Sequence, residues 1–351
     1  MKQRTVFLSY TLIVLLSIGF IGTSCESYSF DFDDTPQGNI DALWTILDEN
    51  YCYFDYKEIN WDSIGTSYRA RVTPNMSKDA LFDLMAQMLS ELKDGHVNLV
   101  ATHDISRYWR WKGDVPCNFN INIIDEYLST DYATASSMKY KILEDNVGYI
   151  YYSSFSNAVS NSGLSQILNR MAICNGIIID VRDNGGGSLV NVERLASRFF
   201  NERKLVGYIS HKVGPGHNDF SDLFPKYVDS SNSIRYQKPV VVLTNRACYS
   251  ATNEFASTMK HAHNATIIGD KTGGGGGFPF SSELPNGWSL RFSTSPTYDA
   301  DKNHIEFGVE PDIKLEMLPA DLNRMKDTYI EYARRMINGT ISMNDEMHIQ
   351  P

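Results

Sequence analysis

The chain has 351 residues, and its 42% hydrophobic content, with 20 Tyr and 17 Phe, can fill a sizeable core, which excludes an intrinsically disordered protein. Its 42 acidic residues outnumber its 32 basic ones, for a formal net charge of −10. No basic block or Arg-rich stripe breaks this excess, so we expect no nucleic-acid partner.

Residues 1–25 have the pattern of a signal peptide. Lys2 and Arg4 precede an almost unbroken apolar run, and small residues then lead into Cys25. The run is too short to favour a stable membrane span. We expect export and lipidation of Cys25, with the protein anchored to a bacterial cell envelope, in the periplasm or at the outer membrane. An ordinary secretory signal is the alternative.

Residues 26–105 are predicted to form a small helical N-terminal domain. Apolar residues recur at helical spacing between residues 40 and 51, and Ser77 is a candidate N-cap for a later helix with apolar residues from 81 to 92. That helix runs into LKDGHV, which contains His96. Residues 106–145 are predicted to be a connecting segment with one strand at NFNINII.

Residues 106–351 are predicted to form an α/β core, because strand and helix patterns alternate beyond residue 146. The stretches VGYIYYSSF, GIIIDV, KPVVVLTN and ATIIGD read as strands, and the apolar runs in GIIIDV and KPVVVLTN are typical of strands buried on both faces. The four cysteines beyond Cys25 lack CxxC spacing, so no zinc site is indicated, and no metal or organic cofactor is implied.

Ser250 follows KPVVVLTN at the start of a predicted helix, so it is either a helix N-cap or a nucleophile. Its flanks, Cys248 and Thr252, lack the small residues of an α/β-hydrolase elbow. A nucleophilic serine needs a base, and among the eight histidines His96 stands out, because Asp94 and a glycine precede it in a potential tight turn.

Two glycine clusters could supply backbone N–H donors to an oxyanion, one at residues 184–187 and one at residues 273–277. Neither ends in the Gly-Lys-Ser/Thr of a phosphate-binding loop. Glu306 lies in the strand-like stretch HIEFGVEPDIKL, where a carboxylate could orient a histidine.

Together, LKDGHV, GIIIDVRDNGGGS, PVVVLTNRACYSATNEFA, ATIIGDKTGGG and FGVEPDI resemble, in order, the tail-specific (C-terminal-processing) serine peptidase family, tricorn-like branch. The resemblance implies a crotonase-like core with Ser250 as nucleophile, His96 as base and Glu306 as the residue that orients it. It implies an oxyanion hole from the N–H groups of Gly186 and Ala251, with Gly185 supporting the turn.

The sequence departs from the family pattern at two places. Gly275 stands where the Ser/Lys branch has its lysine, and Lys271 is out of position, so a Ser/Lys dyad is disfavoured. Residues 106–145 are too few for a complete PDZ domain, so the sequence does not support recognition of substrate C-termini by such a domain.

The sequence therefore predicts an exported serine endopeptidase that cleaves peptide or protein substrates through an acyl-enzyme. A non-catalytic surface lipoprotein that binds peptides or other ligands on the same scaffold is the main alternative. A coenzyme A hydratase-type enzyme of the same fold is a third possibility, disfavoured by the export signal. The sequence does not indicate an oligomeric state.

Overall fold

The computed structural model describes residues 32–113 and 118–341. The predicted signal peptide, with Cys25, and the cysteine at position 117 lie outside these residues. Within the described part of the chain, no helix is both long enough and apolar enough to cross a membrane.

Nine α-helices occur among the described residues: α1 (Pro36–Asn50), α2 (Trp61–Arg69), α3 (Lys78–Ser90), α4 (Ile121–Leu128), α5 (Asn161–Met171), α6 (Leu189–Ala196), α7 (Ala251–Met259), α8 (Pro319–Leu322) and α9 (Thr328–Ile337). Short 3-10 helices span Arg110–Lys112 and Ser197–Phe199.

The described residues also form twelve strands: β1 (Asn98–Val100), β2 (Ala133–Ala135), β3 (Met138–Ile142), β4 (Val147–Tyr151), β5 (Gly176–Asp180), β6 (Lys204–Ile209), β7 (Phe224–Val228), β8 (Val240–Thr244), β9 (Ala265–Gly269), β10 (Gly277–Glu283), β11 (Ser289–Tyr298) and β12 (Ile313–Lys314).

A seven-stranded sheet has the order β12-β9-β8-β5-β4-β3-β2. Strands β12, β9, β8, β5 and β4 are parallel, and the last two pairings are antiparallel. In β5, Ile177 and Ile179 pack on one face with α5, α6 and α7, whereas Ile178 packs on the other with α4 and α9. The predicted α/β fold is confirmed, and so is the burial of this strand on both faces.

The helical N-terminal region packs on a second, five-stranded sheet. Strands β1, β11, β6 and β7 pair in that order, and β10 forms a hairpin with β11. Leu290 and Phe292 of β11 share a core with α1, α2 and α3. Ser77 accepts a hydrogen bond from Ala80 N at 3.2 Å, so the predicted N-cap of α3 is confirmed.

The prediction of a strand at NFNINII is wrong, because α4 begins at Ile121. The Asn120 side chain caps the helix by accepting a hydrogen bond from Asn122 N at 3.0 Å. Ile124 and Leu128, four residues apart, are both buried on one helix face. A short apolar run fits a buried helix as well as a strand, and here the cap decides between them.

Because β5, β8 and β9 are parallel, their carboxyl ends meet at one edge of the sheet. The loops that leave this edge contain both glycine clusters and Ser250. The rear of the site comes from the other sheet, since His96 lies just before β1 and Glu306 lies beyond β11. The fold therefore brings distant segments together at the end of β8.

Candidate active site

Ser250 occupies the N-cap position of α7 but does not cap the helix. Its side chain makes no capping hydrogen bond, and its backbone lies at φ 56° and ψ −120°. A non-glycine residue rarely adopts a positive φ, and such strain persists only where neighbours enforce it. The Ser250 N–H donates to Gly274 O at 2.8 Å, which helps to hold this conformation. The capping alternative is therefore wrong for the Ser250 hydroxyl.

The Ser250 hydroxyl faces His96, whose Nε2 lies 3.0 Å from Ser250 Oγ. His96 is buried, and its ring packs against Tyr249 with centroids 4.9 Å apart. The His96 N–H donates to Asp94 Oδ1 at 2.8 Å, which fixes the tight turn that precedes the ring. A serine and an imidazole at this separation have the geometry of a nucleophile and its general base.

Burial lowers the pKa of His96 to about 4. The Asp94 carboxylate opposes this shift, whereas the positive charges of Arg291 and Lys57 add to it. At neutral pH the imidazole is therefore uncharged and able to accept a proton. Asp94 is the negative charge that acts most strongly on the ring, and it would favour the imidazolium that forms when Ser250 gives up its proton.

Glu306 makes no hydrogen bond to His96 in the described structure. His96 Nδ1, the atom that an orienting carboxylate would contact, is buried and has no hydrogen-bond partner there. Glu306 instead lies in a turn rather than a strand, accepts a hydrogen bond from Gly276 N at 2.9 Å, and pairs with Lys57 Nζ at 2.7 Å. The role that the resemblance implies for Glu306 stays a prediction.

Lys57 connects Glu306 to Asp94 through a buried ionic cluster. Its Nζ lies 3.4 Å from Asp94 Oδ2, and both carboxylates are almost fully buried. Asp94 Oδ2 also accepts hydrogen bonds from Tyr51 Oη at 3.0 Å and Ser293 Oγ at 3.1 Å. The cluster therefore holds the Asp94 carboxylate in place beneath His96.

The pKa values of the two carboxylates in this cluster are shifted in opposite directions. Burial and the nearby Asp94 charge raise the pKa of Glu306 to about 7, against the opposing effect of Lys57. Burial alone would raise the pKa of Asp94, but the charges of Lys57 and His96 outweigh it and hold that pKa below its ordinary value. Asp94 is therefore the carboxylate that stays ionised beside His96.

The first glycine cluster lies directly against Ser250. A side chain at Gly186 would meet Tyr249 O, Ala251 N and the Ser250 side chain, and Gly186 has φ 102°. Its own N–H donates to Asn184 Oδ1 at 3.0 Å, so an oxyanion would have to compete for that donor. Ala251 is the first residue of α7, and its N–H is one of the four without an intrahelical acceptor. The oxyanion hole of Gly186 and Ala251, with Gly185, stays a prediction.

The second glycine cluster supports the site without pointing its amides at Ser250. Gly273 N–H donates to Cys248 O at 2.7 Å, and Gly275 N–H donates to Glu306 O at 3.0 Å. With the bond from Gly276 to the Glu306 side chain, these amides dock the Ser250 loop onto the Glu306 turn. The expectation that this cluster supplies oxyanion donors is wrong for these three amides.

Lys271 does not approach the nucleophile. Its Nζ pairs with Glu310 Oε1 at 2.9 Å on the surface. Gly275, at the position of the lysine in the Ser/Lys branch, lies against the Tyr249 ring. In the described structure the group within hydrogen-bond reach of Ser250 Oγ is thus a histidine.

Two cavities meet at Ser250. One, of about 630 Å³, contains His96, Trp109 and Trp111, and the other, of about 440 Å³, lies between Gly275–Pro279 and α6. Both are open to solvent and share Ser250, Gly187 and Arg291. An extended chain could therefore pass across the hydroxyl from one cavity to the other.

Comparisons with known proteins find similarity to peptidases. The pattern of peptidase family S41 matches residues 146–315, and that of the tricorn protease C1 domain matches residues 32–90. A crystal structure from Parabacteroides merdae, of a protein provisionally named a peptidase, is 47% identical, with a TM-score of 0.83, and covers 88% of this chain and 100% of that one. This chain belongs to peptidase family S41.

Two more distant relatives match over shorter segments. The carboxy-terminal processing protease CtpA of Bacillus subtilis is 23% identical over 55% of this chain and 40% of the relative. The chloroplastic carboxyl-terminal-processing peptidase 2 of Arabidopsis thaliana is 30% identical over 47% of this chain and 31% of the relative. The match thus spans well under half the length of either curated relative.

No pattern in the sequence predicts a site role for Lys57, Tyr51 or Ser293, and Asp94 is indicated only as a neighbour of His96. Lys57 lies in FDYKEINW, where nothing distinguishes it from an exposed lysine. The turn at Asn286–Gly287 was a usable signal for the hairpin that positions Ser293, because Asn-Gly between strand-like runs is typical of hairpins.

Proposed function

We propose that this S41 family member is a serine endopeptidase that acts through an acyl-enzyme, with Ser250 as nucleophile and His96 as general base. The observation that carries the proposal is the 3.0 Å separation of His96 Nε2 and Ser250 Oγ, at a serine whose backbone is strained. The lowered pKa of His96 supports it, because a base must be neutral before it can accept a proton.

In the proposed reaction, His96 Nε2 takes the hydroxyl proton while Ser250 Oγ attacks the substrate carbonyl carbon. The carbonyl oxygen becomes an oxyanion, and the Ala251 N–H, at the positive end of α7, would stabilise it. His96 then returns the proton to the leaving amine. Water, activated by the same imidazole, hydrolyses the ester and restores Ser250.

We propose that Asp94 positions His96 directly, and that Lys57 and Glu306 act on His96 indirectly, through Asp94. Asp94 accepts a hydrogen bond from the backbone N–H of His96, and its negative charge raises the pKa of the ring. Glu306 belongs to the same buried cluster through Lys57, and it would act on His96 through this cluster. Asp94, Lys57 and Glu306 are thus proposed positioning residues.

Replacing Ser250 tests the function directly. We expect Ser250→Ala to abolish labelling by a fluorophosphonate probe and to reduce cleavage of a diverse peptide library below detection, because it removes the hydroxyl that lies 3.0 Å from His96 Nε2. Ser257→Ala, on the same helix, is the matched control and should still label. Cleavage at the wild-type rate by Ser250→Ala would refute the assignment, and a wild-type protein that neither labels nor cleaves would favour a binding protein.

We also propose that the protein is exported and anchored through a lipid on Cys25. The charged start, apolar run and small residues before Cys25 support this. Metabolic labelling with a palmitate analogue should mark the wild type, and Cys25→Ala should lose the label and leave the membrane fraction. An unlabelled wild-type protein that is still secreted would point to an ordinary signal peptide.

A further inference from the structure

The larger cavity at Ser250 has a positively charged lining. Arg107, Lys112 and Arg291 all line it, and Asp183 is the one acidic residue among its described lining residues. This balance is opposite to that of the whole chain, whose formal net charge is −10. The composition of the protein therefore does not account for the charge of this cavity.

These three cations have no carboxylate partner within the part of the chain that the structure describes. Arg107 and Lys112 instead lie near the Trp109 ring, 5.6 and 5.8 Å from its centroid. Arg291 donates a long hydrogen bond of 3.4 Å to Asn98 Oδ1 and is only partly exposed. A cation that is partly removed from water gains more from a carboxylate than a fully exposed one does.

The smaller cavity differs in character. Leu189, Val190, Phe278 and Ile305 give it a largely apolar lining, and its Glu254 pairs with Lys226. A peptide that crosses Ser250 would therefore meet the unpaired charges of Arg107 and Lys112 on one side of the scissile bond and apolar surface on the other, while Arg291 borders both cavities. This difference between the cavities predicts that the preferred substrate side chains differ on the two sides of the scissile bond.

We propose that the site selects peptides with an Asp or Glu side chain on the side of the scissile bond that enters the cavity of Arg107, Lys112 and Arg291. This inference rests on the proposed peptidase function and names its substrate class. Arg guanidinium groups bind carboxylates through paired hydrogen bonds, and clustered positive charge in a cleft raises the local concentration of anionic substrate. The exposed Arg107 and Lys112 would attract the substrate carboxylate, and Arg291 would orient it close to the reacting bond.

The test uses internally quenched peptides, amidated and acetylated at their ends, that differ only by Glu or Gln at one position. The position is scanned over four residues on either side of the cleaved bond. We expect kcat/KM to favour Glu about tenfold on one side only, and to lose part of that preference at high salt. In Arg107→Gln/Lys112→Gln the Glu/Gln ratio should fall towards one, whereas Lys78→Gln, an exposed lysine elsewhere, should keep the wild-type ratio.

A second measurement separates this inference from the proposed function. Ser250→Ala cannot turn over the peptides, so their binding to it can be followed by fluorescence anisotropy. Tighter binding of the Glu peptide without any wild-type cleavage would overturn the peptidase and keep the carboxylate site. Equal kcat/KM and equal binding for Glu and Gln at every position would overturn the inference and leave the peptidase intact. A preference for a free C-terminus over an amide, with none for Glu over Gln, would also overturn it.

Discussion

Replacing Lys57 by Met tests whether the buried ionic cluster beneath His96 holds the site together. The Lys57 side chain is 4% exposed, and it pairs with Glu306 at 2.7 Å and with Asp94 at 3.4 Å. Methionine has a similar length but no charge, so the two carboxylates would share a buried volume without a cation. Removing one partner of a buried ion pair costs about 3–5 kcal/mol, and we expect a loss of stability of that size near pH 8.

The pH dependence of this loss follows from Glu306. Its folded pKa is already raised to about 7, from an ordinary value of 4.5, so its ionised form destabilises the fold as pH rises through that range. Without Lys57 the pKa should rise further, and below it a neutral Glu306 would relieve the repulsion. We therefore expect Lys57→Met to cost less near pH 5 than near pH 8.

The assay is denaturant unfolding of both proteins at the two pH values, compared through the midpoints and slopes. Lys271→Met is the matched control, because it breaks a surface pair in which Lys271 is 35% and Glu310 63% exposed. Such pairs contribute at most about 1 kcal/mol. Adding Glu306→Gln to Lys57→Met should restore much of the lost stability. Equal losses for the two lysine variants, or a loss that is the same at both pH values, would refute the reasoning.

Two further predictions concern the base and the glycine turn. Because burial lowers the pKa of His96 to about 4, kcat/KM should hold level down to about pH 5 and fall through about pH 4, with tryptophan fluorescence confirming that the protein stays folded. The ring packs against Tyr249 and is subject to the charges of Asp94, Arg291 and Lys57. A fall in kcat/KM near pH 6.5 would contradict the burial of His96. Gly187→Ala should lower the unfolding free energy by about 1–3 kcal/mol, because φ is 143° and a Cβ would collide with the 155–156 backbone. Gly185→Ala, with open space at its Cβ position, should change it by less than about 0.5 kcal/mol, and equal effects would contradict this account.

The parts of the fold that local patterns determine could be predicted from the sequence. The apolar run of β8 identifies a strand buried on both faces, and Ser77 identifies the start of α3. The strand prediction for NFNINII is wrong because its apolar residues fit the periodicity of a strand as well as that of a helix, and the Asn120 cap favours the helix. The five-stranded sheet was missed because its pairings join strands far apart in the chain, such as β1 with β11.

In the candidate site too, local sequence patterns indicate some residues, whereas others depend on contacts between distant segments. Ser250 and His96 could be found because each lies at a recognisable junction, a strand followed by a helix and a helix followed by Asp-Gly. Lys57 could not, because its burial depends on carboxylates from two other segments, Asp94 and Glu306. A lysine is expected to be exposed, because charged side chains are rarely buried unless they are paired, and the pairing is visible only in the folded chain.

The strained backbone at Ser250 and the buried ionic cluster beneath His96 are connected by a continuous series of hydrogen bonds and ion pairs. The Ser250 N–H is held by Gly274, the adjacent Gly275 N–H is held by the backbone of Glu306, and the Glu306 side chain is held by Lys57. Lys57 also holds Asp94, which fixes the backbone of His96. The hydroxyl and the imidazole are thus positioned from opposite ends of the same chain of contacts. A loss of Lys57 should therefore alter the distance between Ser250 Oγ and His96 Nε2 as well as the stability, although Lys57 contacts neither group.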